Sequence, residues 1–503
     1  MNTTPETKRG WRSLRRILIA LAVLATLIAV FYAEEDWRGK RAWENYKHQW
    51  EAKGEKFDWQ AFVPPPVPDD KNFFCAPIWT NMLNNKIVMN PYHSDGSPDL
   101  DVPPKEDEIG YSGGEGKTSI IDLKLYQASY RHPAHANLLN EFPTTPEPQT
   151  PAKDVLFALS KFDSAVEELR QASRRPYANV PLNYEDGFGS ASALLPVLAD
   201  VKKCTQLLRV RVAAELADGQ SAKALDDVKL LLYLNHSLRT SPFLISHLVR
   251  IAIVALGIQP VWEGLAKHEW SDEQLVALDA ELGKLDFLAD YESVMRGERA
   301  FAIASLENQR RTREMISSKG NTDGFVTNKL TFMPSAYFYQ NELALARMQQ
   351  QWLLPLVDTN SRTISFANYQ RASSAYTEAK KHYSPYTAQS LMLRPAILAY
   401  VMKTTVIQVS IDLARVACAL ERYHLAHGEY PEMLDALAPQ FIAQVPHDII
   451  NGQPLHYRRT DDGQFLLYSV GWNETDDGGQ VVLTKGGSTD RNKGDWVWQY
   501  PAR

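Results

Sequence analysis

An uncharged apolar stretch near the N-terminus constrains this chain more than any other feature. Residues 17–33 have the sequence ILIALAVLATLIAVFYA and contain no charged side chain. At a rise of about 1.5 Å per residue, they lie at the short end of the length that crosses a bilayer. Arg15 and Arg16 can extend the effective span, because long basic side chains reach back to the membrane surface. We therefore predict a transmembrane helix over residues 17–33.

The charges beside this stretch predict its orientation. Acidic residues occupy positions 34–36, directly after it, and the basic residues that precede it are Lys8, Arg9, Arg12, Arg15 and Arg16. Because positively charged flanks stay in the cytoplasm, residues 1–16 are expected to form a cytoplasmic tail. A cleaved signal peptide is disfavoured, since Phe31 would occupy a position that needs a small residue. The sequence thus predicts a single-pass protein of a bacterial inner membrane with its bulk in the periplasm.

Two later apolar stretches resemble membrane spans by composition. Residues 243–258 contain His247 and Arg250, and residues 391–409 contain Arg394. Charged side chains at mid-membrane depth are costly. We therefore predict that both stretches are buried faces of helices in a soluble domain.

The composition of the 503-residue chain, with 44% hydrophobic and 23% charged residues, is typical of a globular protein. Its formal net charge is −6, which argues against nucleic acid as a partner, because such binding needs a basic surface. The cysteines at positions 75, 204 and 418 show no CxxC spacing, which excludes zinc-ribbon and thioredoxin-like motifs. Cys204 and Cys418 lie in apolar helical patterns and are expected to be buried thiols. The alternative is one disulfide among the three cysteines, formed in an oxidising compartment.

The chain between the membrane stretch and residue 150 is predicted to be irregular. A juxtamembrane helix is expected over residues 34–62, and the proline-rich run at 64–70 then ends it. Residues 120–126 have the sequence IIDLKLY, whose alternation predicts a strand. Residues 142–151 are rich in proline and are predicted to be a linker.

Residues 151–389 are predicted to form a helical domain. Helices are expected where apolar residues recur at three- and four-residue spacing, at 194–216, 222–238, 242–256 and 273–285. Ser271 and Gln274 have the spacing of a capping box before the last of these. The short connections suggest antiparallel hairpins, and both a bundle and a solenoid remain open.

The C-terminal residues 390–503 are predicted to be an α+β module. A long amphipathic helix over residues 391–427 is followed by turns and the strand-like runs PLHYRR, QFLLYSV, GQVVLT and DWVWQY. The predicted fold class is therefore α+β and predominantly α. It comprises an N-terminal transmembrane helix, a helical middle domain, and a long helix with a small antiparallel sheet.

An ordered string of turn and packing residues in this module resembles the globular module of the major pseudopilins of type II secretion systems. The helix end ALERYHLAHGEYP is followed by VPHD, NGQPLHYRR, FLLYSVG, NETDDGG and GDWVW. The residues that carry the resemblance are Gly428, Tyr430, Pro431, Pro446, Asp448, Gly452, Pro454, Tyr457, Ser469 and Gly471. The whole chain also resembles a group of membrane-anchored bacterial envelope proteins that share the opening at residues 42–74, a resemblance that implies no activity.

The N-terminal region departs from the pilin pattern. Pilin precursors have Gly-Phe before the membrane segment and Glu at the fifth mature position, whereas this chain has Gly10-Trp11 and Arg15. More than 350 residues also separate residue 33 from the long helix that continues the anchor in pilins. We infer that the chain is not a filament subunit.

An acidic turn in the C-terminal module is the best candidate site. The resemblance to major pseudopilins implies a calcium ion held by Asn473, Asp476, Asp477 and Asp495, with Glu474 in the same turn. Calcium takes about six to eight oxygen ligands at flexible geometry, which carboxylates, amides and carbonyls supply. Asn473 stands where the family has Asp, and residues 480–494 lengthen the loop. A solvated acidic turn without an ion is the alternative.

Other motifs are weaker. GGEGKTS at residues 113–119 lacks the first glycine of a P-loop, because Tyr111 stands there, and no apolar strand precedes it. His132 and His135 lie on either side of Pro133 and do not have the HExxH spacing of a metal-binding helix. His424 and His427, near the end of the long helix, are expected to oppose the helix dipole rather than bind a metal.

No nucleophile or dinucleotide motif is present in the sequence. The missing motifs do not exclude an enzyme, because catalytic groups converge in space from distant positions. We predict a membrane-tethered periplasmic structural or binding protein that is not an enzyme, whose ligand the sequence does not specify and whose partners are envelope proteins. A periplasmic hydrolase is one alternative. An accessory component of a type II secretion or pilus-like system is another.

Overall fold

The computed structural model describes residues 6–91, 120–131, 142–184, 188–318, 325–330, 333–382, 384–485 and 489–500. The protein is mostly helical (65%) with small antiparallel sheets, which confirms the prediction of a predominantly α protein that also contains antiparallel strands. The helices are α1 Glu6–Glu51, α2 Pro77–Leu83, α3 Leu123–Tyr130, α4 Pro151–Leu159, α5 Asp163–Ala172, α6 Phe188–Ala217, α7 Ser221–Ser237, α8 Leu244–Ala266, α9 Asp272–Leu282, α10 Phe287–Thr312, α11 Ser335–Met348, α12 Phe366–Lys381 and α13 Ala388–His427. The strands are β1 Glu314–Ser318, β2 Phe325–Lys329, β3 Val357–Asp358, β4 Thr363–Ile364, β5 His456–Arg459, β6 Phe465–Ser469, β7 Val481–Leu483, β8 Thr489–Gly494 and β9 Trp496–Trp498.

Helix α1 contains the apolar stretch. Residues 17–33 are exposed to solvent at every position, and the helix is long and apolar enough to cross a membrane. An apolar surface all around a helix is not stable in water. An exposed apolar helix that is long enough to span a membrane is therefore present at the predicted place. Helix α1 continues unbroken beyond it to Glu51, so the predicted helical end at residue 62 is wrong. The chain turns at Gly54, whose φ of +91° is one that glycine adopts without strain.

The two other apolar stretches are buried in the protein. Helix α8 and the segment Pro385–His427, which contains α13, are also apolar enough to span a membrane, but 78% of each apolar window is buried. The charged side chain Arg250 in α8 has a partner, since its Nη1 lies 2.9 Å from Asp290 Oδ2. This agrees with the prediction of buried helices.

The described residues divide into two compact units. The first comprises Met1–Phe62, Arg299–Leu353 and Arg371–Ala396. Within it the second half of α1 packs on α11. A Cβ on Gly39 would lie 3.2 Å from Ala336 Cα, and Asp36 Oδ1 accepts a hydrogen bond from the Ala336 N–H at 2.6 Å. Glycine thus allows the two helix backbones to approach closely.

The second unit comprises Val63–Glu298, Leu354–Gln370 and Ile397–Arg503. Helices α6, α7 and α8 pack against one another in it, and α9 begins with the predicted capping box of Ser271 and Gln274. The four helices predicted between residues 194 and 285 are present, with ends that differ by several residues. Helix α13 matches its predicted bounds closely and buries Leu413, Val416 and Leu420 at helical spacing.

The C-terminal strands of the second unit form two small sheets. The order of the first is β5–β6–β9 and all pairs are antiparallel, with Tyr457 opposite Leu467 and Leu467 opposite Trp498. The second pairs β7 with β8. Strand β6 is central and buried at every position. Gly428 follows the last residue of α13 with φ +81°, and its N–H donates to the His424 carbonyl at 2.8 Å, so the helix ends where it is predicted to end.

Three local predictions fail. Residues 120–126 do not form a strand, because the Asp122 side chain accepts a hydrogen bond from the Lys124 N–H and so starts helix α3. The hairpins β1–β2 and β3–β4 interrupt the region predicted to be helical throughout. Strand β8 also forms in residues predicted to be loop.

Candidate functional site

The acidic loop, residues 473–479, connects strands β6 and β7. The Asn473 side-chain amide donates to Asp477 Oδ2 at 2.8 Å, and Asn473 Oδ1 accepts from the Thr475 N–H at 3.3 Å. Glu474 adopts the left-handed conformation with φ +58°. Two of the predicted ligands, Asn473 and Asp477, are therefore in direct contact.

Asp495 lies under this loop, immediately before β9. Its side chain is buried and accepts hydrogen bonds from the backbone N–H groups of Asp477 at 3.1 Å and Gly479 at 2.6 Å. Burial raises the pKa of Asp495, although these N–H groups oppose the change. The structure thus brings the predicted ligand Asp495 to the acidic loop from 18 residues away.

Asp476 has different partners. Its Oδ1 accepts a hydrogen bond from the Tyr468 hydroxyl at 3.0 Å, and its Oδ2 lies 3.3 Å from His456 Nδ1. The backbone N–H of Gly478 holds the pKa of Asp476 below its usual range. This carboxylate is therefore engaged by the neighbouring strands β5 and β6, while Asn473, Asp477 and Asp495 are linked to one another. Calcium binding by these four residues stays a prediction.

A buried carboxylate organises the turn before β5. Asp448 is 1% exposed and accepts hydrogen bonds from the Ser469 hydroxyl at 2.9 Å and from the N–H groups of Ile450 and Val470, each at 3.0 Å. Burial raises its pKa. Asp448 thus ties the turn at residues 448–452 to the end of strand β6.

A second group of ligand-type side chains lies in the same unit. His268, in the loop after α8, places Nδ1 2.7 Å from Glu421 Oε1 on α13. The rings of His268 and His424 stack at a centroid distance of 5.1 Å. One ligand atom from each of these three residues lies within 4.8 Å of the others. Glu421 is fully buried, whereas both histidines are partly exposed.

The sequence interpretation missed this group. It assigned His424 only to the helix dipole, but Glu421 and His424 are three residues apart and therefore lie on one face of α13. That spacing was a local signal. His268 stands 153 residues from Glu421 in the chain, so no local pattern could indicate it.

The remaining candidates do not form sites that can be described. The P-loop-like run at 113–119, together with His132 and His135, lies outside the described residues. Cys204 and Cys418 are buried free thiols, as predicted, and Cys75 is a partly exposed one. Burial raises the pKa of both buried thiols.

Comparison with protein-family models, curated proteins and solved structures gives no match to this chain.

Proposed function

We propose that this chain is a membrane-tethered protein of the bacterial envelope whose folded units lie in the periplasm and bind envelope proteins without catalysing a reaction. The observation that carries the proposal is helix α1, which exposes apolar side chains at every position from 17 to 33. Five basic residues precede this stretch and three acidic residues follow it. The positive-inside rule then favours a cytoplasmic N-terminus.

The buried charges of the second unit support a structural role for its interior. Arg211 Nε donates to Asp227 Oδ2 at 2.9 Å, and Arg250 pairs with Asp290 at the same distance. Each of these buried charges has a partner of opposite charge on another helix or one turn away, which supports a structural role for the pairs.

Crosslinking in intact cells tests the binding role. Cells expressing the full chain are treated with a membrane-impermeant amine crosslinker, and the chain is purified from detergent for mass spectrometry of its adducts. We expect defined envelope proteins as adducts. A matched control replaces Arg12, Arg15 and Arg16 by Glu, which removes the positive flank and should abolish the adducts. The absence of adducts with the natural chain would contradict the proposal.

The same crosslinking experiment distinguishes the proposed role from that of an accessory component of a secretion system. Adducts dominated by pseudopilins, together with blocked protein export after deletion of the gene, would assign the chain to a secretion system. Other envelope partners with normal export would favour a separate structural or binding role.

We also propose that the acidic loop binds calcium. The Asn473 amide donates to the Asp477 carboxylate, and the Asp495 carboxylate accepts from the Asp477 backbone N–H, so three residues that carry side-chain oxygens lie at one loop and support this assignment. A bound ion would offset the repulsion between neighbouring carboxylates.

Thermal melting of the detergent-solubilised full chain with calcium and with EDTA tests the calcium site. Binding to the folded state should stabilise it by about 2.7 kcal/mol at a calcium concentration of one hundred dissociation constants. Asp477→Asn should abolish the rise in the melting midpoint. Asp461→Asn, in the exposed turn between β5 and β6, is the matched control and should retain it. Equal rises in both variants would refute the assignment.

A further inference from the structure

The group formed by His268, Glu421 and His424 has features that neither the proposed tether nor the acidic loop requires. Two of its members are fixed on one face of α13 by their three-residue spacing. The third, His268, follows Lys267, the C-cap residue of α8, and has the left-handed φ of +56°. A non-glycine residue adopts this conformation uncommonly, although histidine does so more readily than most. The loop thus directs an imidazole at the helix face.

The contacts around Glu421 orient it towards this imidazole. Its Oε1 lies 2.7 Å from His268 Nδ1, and its Oε2 accepts a hydrogen bond from the Tyr430 hydroxyl at 3.0 Å. The Tyr430 ring also stacks on His424 at 4.7 Å between centroids. A carboxylate that ligates a metal is commonly held by such an outer hydrogen bond. The carboxylate is fully buried, while both histidines are partly exposed.

We propose that His268, Glu421 and His424 bind one divalent transition metal ion, with zinc as the best match. Two imidazoles and a carboxylate are ligands that zinc accepts, and three protein ligands leave a fourth position for water. Zinc bonds of about 2.0–2.1 Å place tetrahedral ligands about 3.4 Å apart. The ligand atoms lie within 4.8 Å of one another, so binding would draw them closer together. The ion would replace the direct contact between His268 Nδ1 and Glu421 Oε1.

The ion would join the loop between α8 and α9 to α13. These segments are far apart in the chain, so the metal closes a long loop within the second unit. The simplest competing account is a histidine–carboxylate ion pair beside two stacked rings, without a metal. That account predicts no saturable binding of an ion at this place.

Cobalt(II) titration distinguishes the two accounts. The full chain, purified in detergent without a histidine tag and stripped with EDTA, is titrated with Co²⁺ while its visible absorption is recorded. We expect bands of four-coordinate cobalt that saturate at one ion per chain and disappear when zinc is added. His268→Gln and His424→Gln should each weaken binding by about a hundredfold or more.

His427→Gln is the matched control. It lies on the same helix one turn further, stacks on Tyr423 and places Nδ1 2.9 Å from the Tyr423 carbonyl. This variant should bind cobalt as the natural chain does. Melting midpoints without metal establish that each variant folds. If either ligand variant fails to fold, the test is the melting midpoint of the natural chain. Zinc binding to the folded state must raise this midpoint progressively as the zinc concentration increases. Absence of saturable binding, or equal binding after replacement of both ligand histidines, would overturn the proposal.

Discussion

Arg299 holds the segment that follows α1, and its replacement should release that segment. Within the first unit the guanidinium is fully buried, lies 2.5 Å from Glu55 Oε2, and donates to the Lys56 carbonyl at 3.0 Å. It also lies over the Phe57 ring at 4.4 Å. These contacts fix the turn after α1. We therefore expect Arg299→Met to open this turn while retaining most of the aliphatic packing.

The free-energy cost of Arg299→Met follows from the burial of the ion pair between Arg299 and Glu55. Removing one partner of a buried pair costs about 3–5 kcal/mol, because the other charge stays buried without compensation. Glu55 keeps 9% side-chain exposure, so the lower part of this range applies. A loss of about 3 kcal/mol corresponds to a roughly hundredfold larger population of the opened turn.

Limited trypsin digestion of the full chain measures this opening. Cleavage at Lys53 and Lys56 should accelerate by roughly a hundredfold in Arg299→Met, since cleavage follows the opened population when reclosing is fast. Arg311→Met is the control, because Arg311 is on the same helix in an exposed pair with Glu307, and such pairs contribute about 0–1 kcal/mol. Equal cleavage rates in both variants and the natural chain would refute the reasoning.

Three further perturbations concern both units. Asp448→Ala should lower the free energy of unfolding by about 2–4 kcal/mol in chemical denaturation, because the hydrogen bonds of Ser469, Ile450 and Val470 are lost. Gly471→Ala should lower the melting midpoint by several degrees, since φ is +67° and a Cβ would lie 2.5 Å from the Gly494 carbonyl. Burial raises the pKa of Glu342 to about 8, above its unfolded value of about 4.3. Ionisation then disfavours folding, so stability falls as pH rises from about 5 to 8, by at most about 1.4 kcal/mol per pH unit.

The controls for these three are conservative changes at the same sites or nearby. Asp448→Asn keeps part of the hydrogen bonding and should cost less than Asp448→Ala. Gly54→Ala, at another left-handed glycine with no atom near a Cβ, should cost less than Gly471→Ala. Glu342→Gln should flatten the dependence of the free energy of unfolding on pH. An unchanged slope in that variant, or a reversed order in either of the other pairs, would contradict the physical reasons given.

Much of the helical architecture could be predicted from local pattern. Helix α13 appears at its expected place because apolar residues recur at three and four positions, and Leu413, Val416 and Leu420 are buried accordingly. Gly428 ends it, as its conformational freedom predicts. The strand predicted at residues 120–126 is wrong because alternation over so short a run does not distinguish a strand from a helix. The Asp122 side chain caps helix α3 there instead.

The residues of the candidate sites could be predicted only where they lie close together in the sequence or where the resemblance names them. Asn473 and Asp477 stand in one turn, and the resemblance to pseudopilins supplied Asp495. His268 and Glu421 meet because the α8–α9 loop folds against α13, a contact that depends on tertiary packing. Neither residue has a motif around it that specifies the other.

Labelling of single cysteines in spheroplasts measures the membrane topology most directly. With Cys75 replaced by Ala, one cysteine is introduced at exposed Lys53, after the apolar stretch, or at exposed Ser13, before it. The cysteines at 204 and 418 are buried and should stay unreactive. A membrane-impermeant maleimide should label Lys53→Cys in intact spheroplasts and label Ser13→Cys only after the membrane is opened. The reverse pattern, or labelling of both before opening, would contradict a cytoplasmic N-terminus and a periplasmic bulk.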